Sequence, residues 1–528
     1  MRAMSFLALV ATAAALGLPG TPGVAEENDQ QLGTVHFATS CNEAAQRRFD
    51  RAMRYQHSFW YKASREIFEE TLKADPECGI AYWGIALSLW NNPHFAPPAP
   101  NLAPALAAIE KGKAVGAKSE RERDYINALA VLYTDYDKVE YRTRLQGYLK
   151  AMEALAAKYP GDDEAQIYYA ITLNASASPG DKTYAQQLKG AAILEQIFKR
   201  QPHHPGIAHY LIHLYDYPPI AEKGIDAAQR YSAIAPAAPH AQHMPSHIFT
   251  RVGYWKESIA ANLASVKAAK ADKEAVDQLH GMDYMVYAYL QLGRDREARG
   301  VIDEMMQTAN TNTDVYGGSF ALAAAPARYA IERGDWKSAA ALEVRPSKFP
   351  AIVAITHFAR ALGAARSGNA EAAKADIAKL AELRDKLREA KDAYWSDQVD
   401  IEHQIATAWV LNTEGKHDAA LAAMKAAAEA EDKTEKSPVT PGPLAPAREL
   451  YGDMLLERGN AKEALAAFQA TMAKEPNRFN GFVGAAKAAV AAGDRATAKA
   501  DYHKLIGLAD ASSDRPALAA ARAYVAGD

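Results

Sequence analysis

Seven short stretches of this chain share one pattern, and that pattern narrows the possible folds sharply. Each starts with a glycine, and a small residue, Ala in six of the seven, follows four or five positions later. The stretches are GYWKES, GRDREA, GDWKSA, GNAEAA, GKHDAA, GNAKEA and GDRATA, with glycines at Gly253, Gly293, Gly334, Gly368, Gly415, Gly459 and Gly493. Apolar residues recur at helical spacing on both sides of each glycine. Each stretch therefore predicts a turn between two amphipathic helices.

The clearest copy of the unit is YGDMLLERGNAKEALAAFQATMAKEP, which ends at Pro476. Gly459 ends its first helix, and Ala464 and Phe468 pack the second helix against the first. This pattern resembles the tetratricopeptide repeat, a helix-turn-helix unit of about 34 residues. The resemblance implies an all-α fold, in which about eleven or twelve helical hairpins stack into a superhelix.

The sequence outside the repeats divides the chain into further segments. Residues 1–25 combine a basic start, a short apolar stretch and small residues near the end, which is typical of a cleaved secretory signal peptide. The other expected parts are an extended segment at 26–41, the superhelix at 42–431, a Pro-rich linker at 432–446, and C-terminal repeats with a capping helix at 447–528. We therefore expect a periplasmic or secreted protein.

Composition excludes some partners. The chain has 528 residues and a formal net charge of −4, without a block of Lys and Arg, so nucleic acid is not an expected ligand. After the first 25 residues the sequence has no long apolar run, so we expect no membrane contact once the signal is removed.

The only two cysteines are Cys41 and Cys78. Both precede expected helices in neighbouring hairpins, and thiols often pair in an oxidising compartment. A disulfide between them is one interpretation, and two isolated buried thiols are the other.

Histidines are concentrated in one region: eight of the 15 fall between residues 203 and 280. The tetratricopeptide resemblance implies that positions 2, 5 and 9 of each first helix face the concave groove. With Gly253 at position 15, those three positions fall on His240, His243 and His247. In the next repeat His280 takes position 2 and Asp283 position 5. Histidines of adjacent repeats are therefore expected to meet in the groove.

Histidines four residues apart on a helix lie on one face and can bind the same metal ion. Two such pairs are present, His209 with His213 and His243 with His247. We predict that these four bind one transition metal ion, with copper, zinc or iron as the candidates. The remaining candidates, in its first or second shell, are His240, His280 and Asp283. If the protein is an enzyme, Asp283 is the candidate general base.

Other interpretations of single histidines stay open. His203 and His204 follow a proline in a turn, and we expect both to be exposed. His209 or His280 alone is more typical of a hydrogen-bonded core residue. A row of histidines also suits a protonation-sensitive surface, because imidazole titrates near neutrality, or a polar peptide-binding groove.

Several further stretches, including VHFATSC, HSFWYKASREIF and APHAQHMPSHIFTRVGYW, resemble a group of exported bacterial tetratricopeptide proteins. That resemblance implies fold and export but no particular reaction. Three functions follow as hypotheses. The first is an exported binding or scaffold protein with a metal site in its groove. The second is a metal-dependent hydrolase or oxidase. The third is a metal-free scaffold whose groove holds a protein or peptide ligand.

Overall fold

The computed structural model describes residues 31–308 and 315–527, whose regular elements are helices with no β-strand among them. The predicted signal peptide, residues 1–25, lies outside the described residues. Twelve helical pairs and one final helix can be followed along the described ranges, which confirms the all-α superhelix. None of these helices is both long and apolar enough to span a bilayer.

The first ten helices lead up to and into the histidine region. They are α1 (Glu43–His57), α2 (Tyr61–Ala74), α3 (Ile80–Trp90), α4 (Ala99–Val115), α5 (Glu120–Tyr133), α6 (Tyr141–Lys158), α7 (Asp163–Ser176), α8 (Ala185–Arg200), α9 (Pro205–Tyr215) and α10 (Ile225–Ile234). A 3₁₀ turn, Pro218–Gly224, separates the last two.

The remaining helices begin inside the histidine region. They are α11 (Pro239–His243), α12 (Pro245–Arg251), α13 (Trp255–Asp272), α14 (Ala275–Gln291), α15 (Asp295–Thr308), α16 (Tyr316–Glu332), α17 (Trp336–Ala340), α18 (Pro350–Arg366), α19 (Ala370–Glu389), α20 (Ala393–Thr413), α21 (His417–Glu431), α22 (Ala447–Glu457), α23 (Ala461–Lys474), α24 (Phe479–Ala492), α25 (Arg495–Leu508) and α26 (Pro516–Ala526).

The repeat glycines end first helices as predicted. All seven have positive φ, between 64° and 82°, a conformation that costs glycine little because it lacks Cβ. The residue five positions after each glycine is fully buried between the paired helices. These residues are Ser258, Ala298, Ala339, Ala373, Ala420, Ala464 and Ala498. A small side chain there lets the two helices approach closely.

A phenylalanine in the second helix completes the packing of such a unit. The ring of Phe468 lies over two glycines of first helices, Gly452 and Gly484, where an added Cβ would come within 2.9 Å of it. Phe68 packs on Gly84 in the same way near the start of the chain. Burial of such a ring contributes roughly 2–3 kcal/mol. A bulkier residue in place of any of these glycines would displace the phenylalanine ring from its packed position.

The N-terminal segment, residues 31–42, is non-helical and packs along the first repeats. Phe37 is buried, and the N–H of Thr34 donates to the carbonyl of His203 at 3.0 Å. A disulfide joins Cys41 and Cys78, whose Cα atoms are 5.0 Å apart. It connects the start of α1 to the start of α3, which are first helices of successive hairpins.

The Pro-rich linker, residues 432–446, packs inside the molecule. Thr440 and Gly442 are buried, and both accept hydrogen bonds from the guanidinium of Arg328. Tyr284 of α14 donates to the carbonyl of Thr440 at 3.1 Å. The linker thus fills space beside the histidine region.

The C-terminal repeats pack back onto the middle of the chain. The buried guanidinium of Arg478 lies 2.7 Å from Glu332 and 2.9 Å from Glu449. The indole N–H of Trp255 donates to the carbonyl of Asn477 at 2.7 Å. These contacts join the C-terminal repeats to segments more than 100 residues earlier in the chain.

Candidate metal centre

Three successive first helices carry the histidines that the sequence singles out. His209 and His213 lie on α9, and His280 lies on α14. Helices α11 and α12 carry the other three and form one interrupted path. The interruption falls at Pro245, which begins α12 and has no N–H to donate to a preceding turn.

The structure divides these six histidines into two groups of three, unlike the predicted single set of four. In each group, one ring nitrogen of every member lies within 4.8 Å of the others. The two groups are triad 1 (His209, His213, His240) and triad 2 (His243, His247, His280). Each i, i+4 pair is thus completed by a histidine from the next first helix, because successive first helices lie side by side in the superhelix.

The spacing within both triads suits a metal ion. Within triad 1, Nε2 of His209 lies 3.1 Å from Nε2 of His213 and 3.1 Å from Nε2 of His240. Within triad 2, Nε2 of His243 lies 3.0 Å from Nε2 of His247. Three nitrogens about 2 Å from one ion lie about this far apart. The short distances in each triad are therefore those expected of nitrogens that share one ion.

Hydrogen bonds on the opposite ring edges fix the tautomers of two triad 2 members. Nδ1 of His247 lies 2.9 Å from the carboxylate of Asp216, and Nδ1 of His243 lies 2.6 Å from Oδ1 of Asn262. The Asn262 amide nitrogen donates to the carbonyl of Ser258, so its oxygen faces His243. Both partners can only accept, so each Nδ1 carries the proton. In a neutral ring, Nε2 then carries no proton and presents its lone pair.

Triad 1 has one such contact as well. Nδ1 of His209 lies 2.7 Å from the backbone carbonyl of His57, the last residue of α1. The chain then reverses through Phe59, whose φ of 58° is unusual for an aromatic residue. This reversal brings the carbonyl to His209 and places the Phe59 ring against the triad.

Burial keeps the triads neutral. Desolvation, followed by the neighbouring imidazoles, lowers the pKa of His240 and of His280 to about 3. The same causes lower the pKa of His243 well below its usual value. Neutral imidazole is the form that binds a metal ion.

One carboxylate lies directly behind triad 2, but its charge is already balanced. Asp216 accepts from Nε of Arg251 at 2.8 Å and lies 3.0 Å from Nζ of Lys436, a buried lysine side chain of the linker. Burial lowers the pKa of Lys436 to about 8, so the amine stays mostly protonated at neutral pH. Asp216 therefore orients His247 without adding net negative charge.

One aromatic ring covers each triad. The centroid of Phe59 lies 4.2 to 5.6 Å from the three rings of triad 1. The centroid of Tyr284 lies 4.8 to 5.2 Å from the three rings of triad 2. These rings exclude water from one side of each group and leave His240 and His280 only half-buried.

The structure adds one histidine that sequence reasoning missed. His94 lies in the Pro-rich loop between α3 and α4, and its ring centroid is 4.3 Å from that of His213. Its Nε2 is buried with no hydrogen-bond partner among the described residues. No local sequence pattern connects this loop to residue 213.

Asp283 does not join the histidines. It is fully buried, and its Oδ1 pairs with Nε of Arg328 at 3.4 Å. Its Oδ2 has no hydrogen-bond partner within the described ranges. The carboxylate that contacts the site is that of Asp216, which directly follows Tyr215, the last residue of α9.

A third group of titratable side chains lies behind triad 1 and differs in kind. The carboxylate of Glu164 lies 3.1 Å from Nε2 of His57 and 2.9 Å from Nε2 of His204. His203 is exposed as expected, but His204 is buried, so the expectation that it is exposed was wrong. His204 precedes α9 and faces α7 of the neighbouring hairpin, a contact that its local sequence does not reveal.

Likeness to known proteins is confined to the fold. No protein-family model matches the chain, and no curated protein matches it in sequence. Three solved structures match 92% of this chain at 10–11% identity. They are yeast Tom70 (96% of that chain, TM-score 0.35), the human IFIT1 dimer with m7Gppp-AAAA (99%, 0.41) and the APC/C hetero-tetramer Cut9–Hcn1 (95%, 0.31). Likenesses this distant carry no information about a ligand.

The hairpins themselves establish the class. The seven glycine turns, the small buried residues after them and the stacked first helices define a helical-hairpin solenoid of the tetratricopeptide type. Its distinguishing feature is a group of six histidines, four of them buried.

Proposed function

We propose that this chain is an exported tetratricopeptide-type protein that binds a transition metal through the two histidine triads. Export is supported by the signal-like residues 1–25 and by the Cys41–Cys78 disulfide, which suits an oxidising compartment. A protein or peptide partner elsewhere in the groove is compatible with this function. Beside the triads, the chain's own linker fills the space.

The metal assignment rests on the protons of triad 2. His243 and His247 both donate through Nδ1, so their Nε2 atoms, 3.0 Å apart, are both unprotonated in the neutral rings. Two lone pairs at this distance repel each other, and no hydrogen bond can form between them. A cation bound by both atoms turns the repulsion into two coordinate bonds.

The donor set narrows the choice of metal. Both triads consist of imidazole nitrogens, and neither includes a carboxylate among the residues the structure describes. Imidazole suits zinc, copper, iron and nickel, but non-haem iron sites typically add a carboxylate to two histidines. Copper and zinc are therefore better candidates than iron.

The number of donors favours a second function, metal-dependent catalysis. Three protein nitrogens leave a coordination position open, as in catalytic rather than structural sites. A hydrolase or an oxidase would use that position. Asp283 is poorly placed to act as its general base, because it pairs with Arg328.

Metal content tests the proposal. We expect mature protein purified after export to contain copper or zinc by mass spectrometry, and a His243→Ala/His247→Ala variant to lose the ion of triad 2. A His357→Ala variant is the matched control, since that histidine pairs with Asp376 far along the chain. Wild-type protein that stays metal-free after reconstitution with each ion would contradict the proposal.

A further inference from the structure

We propose that the two triads hold one copper ion each and form a single dinuclear copper centre. This inference rests on the proposed metal-binding function and adds the number of ions, their identity and their mutual contact.

The two triads have the same construction. Each takes an i, i+4 pair from one first helix and a single histidine from the next. His240 completes triad 1 and lies three residues before His243, which begins the pair of triad 2. A step of one repeat along the superhelix therefore converts one half of the centre into the other.

The closest rings of different triads are no farther apart than the most widely separated rings of triad 2. Ring centroids of His213 and His247 lie 6.2 Å apart, and those of His240 and His243 lie 6.3 Å apart. His247 and His280, both members of triad 2, are 6.4 Å apart. The triads are therefore adjacent, and in this proposal the ions bound to them share a small bridging ligand.

Charge favours copper over zinc. Two zinc ions would bring four positive charges to six neutral imidazoles, and the nearest carboxylate, Asp216, is already paired with Arg251 and Lys436. Buried charge without compensation is costly. Copper can enter as the monovalent ion, which halves that charge. In the divalent state, a small anion such as hydroxide between the ions would offset part of it.

The surroundings limit what can reach this centre. Phe59 covers triad 1 and Tyr284 covers triad 2, so protein chains and large ligands are kept from those sides. The accessible members are His240 and His280, which are half-buried. The ligand class is therefore a small oxygen or nitrogen donor that bridges two copper ions.

The test combines copper content with electron paramagnetic resonance. Full-length mature protein is loaded with copper(I) without oxygen, freed of excess metal and oxidised with ferricyanide, which takes one electron from each copper. We expect two copper ions per chain and far less than two spins of copper(II) signal, because bridged ions couple and lose their signal.

Two variants remove one half-site each. His240→Gln and His280→Gln should each keep one copper and regain one full spin, whereas His403→Gln, outside the site, should behave as wild type. Circular dichroism checks that the variants fold. Should either variant unfold, the wild-type copper content and spin count still decide.

Each result that contradicts the proposal has a different meaning. One copper per chain would overturn the dinuclear centre and leave the proposed metal binding intact. Two copper ions with two full spins would mean two independent sites and would also overturn it. Binding of zinc but not copper would refute the choice of ion, and binding of no metal would refute both proposals.

Discussion

Triad 2 and the His57–Glu164–His204 group look alike by distance but differ in their protons. In the Glu164 group, a carboxylate lies between two imidazoles, so each short contact can be a hydrogen bond. In triad 2, the short contact joins two nitrogens whose protons point elsewhere. Every short contact of the first group can be a hydrogen bond, whereas the short contact of triad 2 cannot and suits a shared cation.

Clustering alone therefore does not identify a metal site. Both groups bring three ligand atoms within 4.8 Å of one another and are largely buried. The two groups differ in the hydrogen-bond partner of Nδ1, the other ring nitrogen. That partner decides whether Nε2 carries a proton. Changes that remove one partner at a time test the distinction.

Glu164→Ala should have the greatest effect on stability. It leaves two buried imidazole N–H groups without an acceptor, and breaking a buried pair of this kind costs about 3–5 kcal/mol. Urea unfolding should show this loss of unfolding free energy equally in metal-free and metal-loaded protein. The exposed Glu195, which accepts from Tyr215, provides the control: Glu195→Ala should cost about 0.5 kcal/mol. A loss seen only in loaded protein would make the Glu164 group a metal site as well.

The next effect concerns the acceptor behind triad 2. Asn262→Ala removes the partner of His243 Nδ1, and loss of such an outer contact lowers metal affinity about 10–100-fold. Competition with a chelator of known affinity measures this change. Asn412→Ala is the matched control, because Asn412 makes the same contact with His417 outside the site. Equal affinities in the wild type and the Asn262→Ala variant would refute the role given to that hydrogen bond.

A smaller, pH-dependent effect follows from the charge of Glu164. Burial alone would raise the pKa of Glu164, but the charge of His57 and hydrogen bonds from His204 and His57 hold it below the usual 4.5. A lowered carboxylate pKa stabilises the fold above pH 4.5, and that contribution is lost as the pH falls further. The difference in unfolding free energy between wild type and Glu164→Gln should therefore be constant from pH 6 to 8 and shrink below about pH 4.5. A difference that grows on acidification would have the wrong sign.

Tyr284→Phe should change the protein least. The variant keeps the ring over triad 2 and loses the hydroxyl that donates to the linker carbonyl of Thr440. We expect a loss of about 1 kcal/mol in unfolding free energy and no change in metal content. Loss of the metal together with the hydroxyl would show that Tyr284 is itself a ligand.

The sequence predicted those parts of the site that follow the repeat. Because Gly253 and Gly293 fix the register, groove-facing positions could be assigned without coordinates to His240, His243, His247 and His280. The pairing of His209 with His213 follows from helix geometry alone. The division into two triads did not follow, because it depends on how closely successive first helices approach.

Residues from distant segments could not be predicted. His94 arrives from a loop more than 100 residues before His213, and Lys436 from a linker more than 200 residues after Asp216. Both contacts close the chain onto itself between distant segments, as the ion pair of Arg478 with Glu332 also does. Local periodicity carries no information about such closure.

X-ray absorption at the metal edge of loaded protein would report the ligands of the bound ion. Binding by the triads predicts about three imidazole nitrogens per ion at about 2.0 Å, with the outer-shell scattering of imidazole rings. The same spectrum should be lost in protein that lacks His243 and His247, apart from any ion still held by triad 1. A metal surrounded by oxygen or sulfur donors, without imidazole scattering, would mean that the triads do not bind it.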